Sequence, residues 1–169
     1  MQYRCPRWND WPDLGLYMDQ VTRLLEEHVA GFSPADQKKT VTPMMINNYV
    51  KRKIVMPSKN KLYNRKHLAH LYILFLLKPV LSLSEICESL AQLTENRAFA
   101  EVYDCFCDEI ELALATAFDK GGVQSGKNVE AAEIINAISL AFAYSMLAKL
   151  YLSDGQALAK NKSEVMSNK

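Results

Sequence analysis

Apolar residues in this chain recur mostly at intervals of three and four, so the elements they predict are helices. Leu14, Tyr17, Val21, Leu24, Leu25 and Val29 mark a first helix, with Asp13 as its N-cap and Gly31 as its stop. A connector, "SPADQKKTV", follows, with one short turn expected at Ser33-Pro34. Thr42-Pro43 is a second start signal: a capping hydroxyl, then a proline at the first helical position, where its missing N–H costs nothing. The helix it opens, from Pro43 to about Arg52, separates into two faces. Met45, Ile46, Tyr49 and Val50 turn toward a core, and Met44, Asn47, Asn48 and Lys51 turn away from it. Lys53 would fall inside the apolar stripe, so the helix is expected to stop before it.

The pattern then changes. Ile54 and Val55, then Pro57 and the turn-prone "SKNK", predict a tiny two-stranded hairpin or an extended excursion. Asn64 caps a third helix, with Leu68, Leu71, Tyr72, Phe75 and Leu76 inward and Pro79 at its end. Ser82 caps a fourth, and Glu85 completes a capping box. Val102, Phe106, Ile110, Ala113, Leu114 and Ala117 mark a fifth, ending near "DKGG". A sixth, from Asn128 to about Leu152, is apolar almost all round and so belongs in a core or a subunit interface.

Composition excludes more than it assigns. The chain has 169 residues, enough to bury a core without disulfide staples. Its four cysteines form no CxxC pair, so they are expected as buried or partly buried free thiols in a reducing compartment. His67 and His70 have no third ligand at a suitable spacing, so no metal is expected. The N-terminus lacks an apolar signal region, and the most apolar window, Ile134 to Ala148, is shorter than the roughly 20 residues a membrane span needs. A cytoplasmic location and no membrane partner are expected. Trp8, Trp11 and Tyr3 read as packing of an N-terminal arm, and Glu101, Asp104, Asp108, Glu109 and Glu111 as a solvated acidic face. No nucleophile elbow, phosphate-cradling glycine loop or HExxH is present, so neither an enzyme nor a cofactor is expected.

Charge changes the picture. The net formal charge is +1, yet residues 37–84 hold ten bases and no acid, leaving ten bases against nineteen acids elsewhere. Such asymmetry points to a polyanionic partner for the basic part. The order of short helix, lysine-bearing excursion and helix is the layout of a winged helix-turn-helix. An α-helix fits the major groove, where asparagine can pair with adenine, and flanking bases neutralise phosphates.

"MINNYVKRKIVMP…KLYNRKHLAHLYIL…LSLSEICESL" resembles the DNA-binding domain of MerR-type regulators over about 50 residues. Ile46, Tyr49, Ile54, Pro57, Tyr63, Ser82, Leu83, Glu85 and Ile86 stand at matching positions. The resemblance implies that Lys61 takes the place of a wing arginine that meets phosphate. It also puts Asn47 where arginine is usual and Lys53 where a helix-ending glycine is usual, so Lys53 is expected to adopt a left-handed backbone. The long MerR-type coiled coil is not evident. Across the chain, "PRWNDWPDLGLYMDQV" and "TPMMINNYVKRKIV…YNRKHLAHL" are similar to an uncharacterised bacterial family, domain of unknown function 1836. That family implies a DNA-binding architecture without supplying a ligand.

The fold expected is therefore mainly α: a MerR-like winged helix-turn-helix with a small β-hairpin wing over 1–95, then a helical bundle or hairpin over 96–169 for dimerisation or effector binding, with a polar tail. The function expected is transcriptional regulation, as a homodimer on double-stranded DNA, with an effector left open. Thr42, Met44, Asn47, Asn48, Lys51, Arg52, Lys59, Lys61, Arg65 and Lys66 are the candidate DNA-facing residues. Two alternatives remain open on the same scaffold: a protein–protein adaptor, and a small-molecule sensor with its site between the C-terminal helices.

Overall fold

The computed structural model describes residues 4–30 and 41–121, together with four helical positions, 140, 141, 144 and 145. Outside them lie the Ser33-Pro34 turn, Lys38, Lys39, the polar tail and nearly all of the sixth helical pattern. The chain divides into two compact units, 1–117 and 118–169. The first is mainly helical. One turn of 3-10 helix, Trp8–Asp10, precedes α1 (Met18–Val29), α2 (Pro43–Lys51), α3 (Arg65–Leu77), α4 (Leu83–Leu93) and α5 (Phe99–Gly121). No helix among the described residues is long and apolar enough to cross a membrane.

α3 is the centre of the unit. Asn64 caps it, its side chain accepting from the His67 N–H at 3.3 Å. The sequence predicts one inner face, but Ala69, Ile73 and Leu74 are buried together with Leu68, Leu71, Tyr72 and Phe75. The wider burial arises because α1 and α4 both pack on this helix and Trp11 meets Tyr72 edge-on at 5.7 Å. α4 begins as expected: the Ser82 N–H donates to Glu85 Oε2 at 2.7 Å, and the Glu85 N–H to Ser82 Oγ at 3.3 Å.

α1 starts later than its apolar spacing predicts. Leu14 and Tyr17 lie outside it and are exposed, and Tyr17, not Asp13, is the N-cap. The competing interaction is explicit. Leu16 exchanges both backbone hydrogen bonds with Tyr63, at 2.8 and 2.9 Å, which holds this stretch extended. Gly15 permits the approach, since a Cβ there would lie 2.9 Å from the Cβ of Leu62.

α2 follows its sequence closely. Thr42 Oγ1 accepts from the Met45 N–H at 3.3 Å, and Ile46 and Tyr49 are buried. The helix ends in a Schellman motif: the Lys53 N–H donates to Val50 O at 3.0 Å and the Ile54 N–H to Tyr49 O at 2.9 Å. That closure needs a left-handed residue, and Lys53 supplies it with φ 60°. Glycine avoids the Cβ clash at such a position, although it also loosens the unfolded chain. Lys53→Gly should therefore stabilise the unit by about 0.5–1 kcal/mol in urea denaturation; a loss of stability would show that the lysine side chain outweighs its backbone strain.

The expected hairpin wing is not a pair of strands. Lys59 and Leu62 exchange both backbone hydrogen bonds, at 3.2 and 2.9 Å, across Asn60 and Lys61, whose φ values are 53° and 62°. Two positive φ values define a type I′ turn, the tightest connection of a hairpin. Pairing across this excursion goes no further, because its second limb pairs through Tyr63 with Leu16.

The N-terminal arm runs against the start of α5. The Trp11 indole N–H donates to the Tyr103 hydroxyl at 2.7 Å, and that hydroxyl donates to Pro6 O at 2.7 Å. The acidic stretch of α5 is not simply a solvated face. Asp104 accepts the Trp8 N–H and Glu111 the Cys5 N–H, each at 2.7 Å, while Arg7 pairs with Asp108 at 2.9 Å and Glu111 at 2.8 Å. The arm also explains why Tyr103 and Cys107, absent from the predicted stripe, are buried beside Val102. All four cysteines are free thiols; Cys5 and Cys107 are buried, but Cys105 is exposed. Contact with Cys5 and burial push the Cys107 thiol up.

Candidate nucleic-acid interface

The outer face of α2 carries Met44, Asn47, Asn48 and Lys51, all exposed. Residues three and four apart are neighbours on a helix, so these four form one contiguous strip about two turns long. The inner face anchors it. Ile46 is fully buried and Tyr49 packs on Phe75 of α3, with ring centroids 5.8 Å apart. Burial pushes the Tyr49 hydroxyl up, keeping it neutral beside Arg52. Among the described residues, the side chains of the outer strip make no hydrogen bond or ion pair with the rest of the chain.

Beyond α2 the backbone reverses at Lys53 and travels out to the turn that carries Lys59 and Lys61, both exposed. Each limb of this excursion is tied down. On the outgoing limb His67 Nε2 lies 3.3 Å from Pro57 O, while Nδ1 lies 3.1 Å from Asn64 N and 2.6 Å from Asn64 Oδ1. Burial holds the His67 imidazole below its ordinary range, which favours the neutral ring. The returning limb is held by the Leu16–Tyr63 pair. A short turn fixed at both ends presents its lysines at lower entropic cost than a free loop.

Thr42 is spent on the helix cap, and Arg52, exposed, follows the last turn of α2. Arg65 is engaged elsewhere: its Nε donates to Trp11 O at 3.0 Å and its guanidinium to Asn9 Oδ1 at 3.3 Å, 5.9 Å above the Trp8 ring. It fastens the N-terminal arm to α3. Lys66 is exposed, its ammonium 5.4 Å over the Phe99 ring. The structure thus gathers Met44, Asn47, Asn48 and Lys51 on one helix face and Lys59 and Lys61 on one turn, and it assigns Arg65 to the arm.

Sequence reasoning missed Gly15 and Leu16, which hold the excursion from the far side of the chain. The only local signal was a glycine inside a helical pattern, which marks a close backbone approach as readily as a helix end. His70 is half-buried, 6.0 Å from the Phe99 ring, and its Nε2 has no hydrogen-bond partner. Among the described residues no three His, Cys, Asp or Glu side chains are grouped to hold a metal.

No curated protein and no solved structure matches this chain. A family model does, over residues 6–106, a segment that takes in the arm, the strip on α2, the turn and the start of α5. With well over half its length matched, the chain belongs to the family described as Domain of unknown function (DUF1836).

Proposed function

We propose that this chain is a DNA-binding transcriptional regulator, without enzymatic activity, that lays α2 in the major groove and sets the Lys59–Leu62 turn on the phosphate backbone. The arrangement is a MerR-like winged helix-turn-helix with its wing reduced to one tight turn. The observation that carries the reading is the exposed strip of α2, flanked by Lys53, Lys59 and Lys61 within a span, 41–84, that contains no acid. Asn47 and Asn48 would read base edges, and Lys51, Arg52, Lys59, Lys61 and Lys66 would meet phosphates. Thr42 acts from beneath, by fixing the first turn. Burial leaves Arg65 the arm-holding role.

One small module covers too little DNA for tight specific binding, so the working form is proposed to be a homodimer on two half-sites. Residues 96–169 would supply the contact between protomers, in the cytoplasm where operator DNA lies.

Selection from a random duplex pool at about 150 mM salt tests the reading. One sequence family should be enriched. Asn47→Ala should change its preference, whereas Lys61→Ala should weaken all duplexes alike and reduce the salt slope by about 1. Failure to enrich any sequence sinks the regulator reading. Salt-dependent capture of an acidic protein in its place would favour the adaptor.

A further inference from the structure

We infer that α2 recognises an A·T pair, or two adjacent ones, by placing Asn47 on adenine and Met44 on the methyl group of thymine. The inference rests on the DNA-binding reading above and gives it a sequence preference.

Met44 is the starting observation. It is 81% exposed, more than any other large apolar side chain among the described residues. Its neighbour Met45 packs against the core, so the pair divides the work: one methionine folds the unit and the other points into water. A flexible thioether facing solvent in the first turn of a helix contributes nothing to the fold.

Its surroundings restrict what could cover it. Met44 lies one turn from Asn47 and Asn48 on the same strip, with exposed Lys51 beyond and no acid anywhere from 41 to 84. An anionic occupant that also offers an apolar group and amide-complementary edges fits this combination. In the major groove, the thymine C5-methyl is the apolar contact point, and adenine offers the N6 donor and N7 acceptor that asparagine matches with two hydrogen bonds.

The strip also lacks the residues that favour the other base pair. It holds no arginine, the commonest partner of guanine, and no carboxylate to accept from cytosine N4. Lysine can also meet guanine, and Lys51 is the one member of the strip that can do so. It sits in the last turn, away from the N-terminal end that reads base edges in helix-turn-helix docking. Three residues of helix advance about 4.5 Å, close to the roughly 3.4 Å step between base pairs. Met44 and Asn47 can therefore address one pair or two neighbours.

Removing a single methyl group tests this. In the half-site enriched from the random pool, each thymine is replaced by deoxyuridine, which lacks only the C5-methyl, and each adenine by 7-deazaadenine, which lacks the N7 acceptor. At one thymine, deoxyuridine should weaken the wild-type protein about three- to fourfold. Met44→Ala should lose the same amount on the thymine duplex and be indifferent to deoxyuridine. At one adenine, Asn47→Ala should lose about tenfold or more and become insensitive to the 7-deaza change. Both side chains are exposed, so circular dichroism should show both variants folded.

Enrichment of a half-site that tolerates both base changes, or equal sensitivity of wild type and Met44→Ala to deoxyuridine, overturns the A·T assignment and leaves DNA binding standing. Absence of any enriched duplex overturns the DNA-binding reading itself, and this inference with it.

Discussion

Trp11→Ala is expected to cost about 4 kcal/mol of folding stability, the largest effect of any single change considered for this chain. Trp11 is 1% exposed and sits where three parts of the molecule meet. Its ring lies edge-on to His28 of α1 at 5.1 Å and to Tyr72 of α3 at 5.7 Å, and its indole N–H is held by Tyr103 of α5. Truncation leaves a large cavity among rigid aromatic walls, and the Tyr103 hydroxyl loses one of its two partners. A domain of this size has about 5–15 kcal/mol in total, so the variant should be marginal at 37 °C. Trp11→Phe keeps most of the apolar contact and should lose clearly less. Urea titration followed by circular dichroism decides the matter. A loss below about 1 kcal/mol for Trp11→Ala would mean that the arm is not part of the core.

Acid is expected to weaken the unit before its carboxylates titrate. His28, His67 and His70 are all held below the ordinary histidine value of 6.5, burial being the first cause in each, and His70 is lowered to about 4 with Lys66 adding to the effect. The sign follows from proton uptake. Below pH 6.5 the unfolded chain binds protons that the folded histidines refuse, so stability is full above 6.5 and falls as pH drops toward 4. For His70 alone the loss between pH 6.5 and 5 should reach about 1.5 kcal/mol, the slope steepening toward about 1.4 kcal/mol per pH unit. His70→Phe suits the partly apolar site beside Phe99 and should flatten that slope. An unchanged slope in the variant would show that His70 accepts its proton in the folded state.

Several elements are legible in the sequence because their causes are local. The Thr42-Pro43 start, the Asn64 cap and the Ser82–Glu85 box each satisfy their own backbone donors within three residues. The two faces of α2 follow from 3.6-residue periodicity alone. Even the helix end at Lys53 can be anticipated, since continuing the helix would put its charge in the apolar stripe; its left-handed backbone is implied by the MerR resemblance.

The failures share a different cause. The start of α1 shifted because Leu16 pairs with Tyr63, 47 positions along the chain. The same pairing takes the second limb of the expected hairpin and leaves a single tight turn. Arg65 looks like one more base in a basic run until the arm folds back and surrounds it with Trp8, Asn9 and Trp11. The acids of α5 look solvated until Arg7 and two backbone N–H groups reach them.

By itself, then, the sequence determined which segments from α1 to α5 are helices, where four of them begin or end, and that a nearly neutral chain hides a basic span of 48 residues. Capping, periodicity and charge need no partner distant in sequence to be read. The tertiary structure decided which bases remain on the surface, what holds the lysine-bearing turn, and why α3 is buried on more than its predicted inner face. Those outcomes depend largely on an N-terminal stretch packing against residues about fifty to a hundred positions away, and chain closure over such a distance leaves no mark in local pattern.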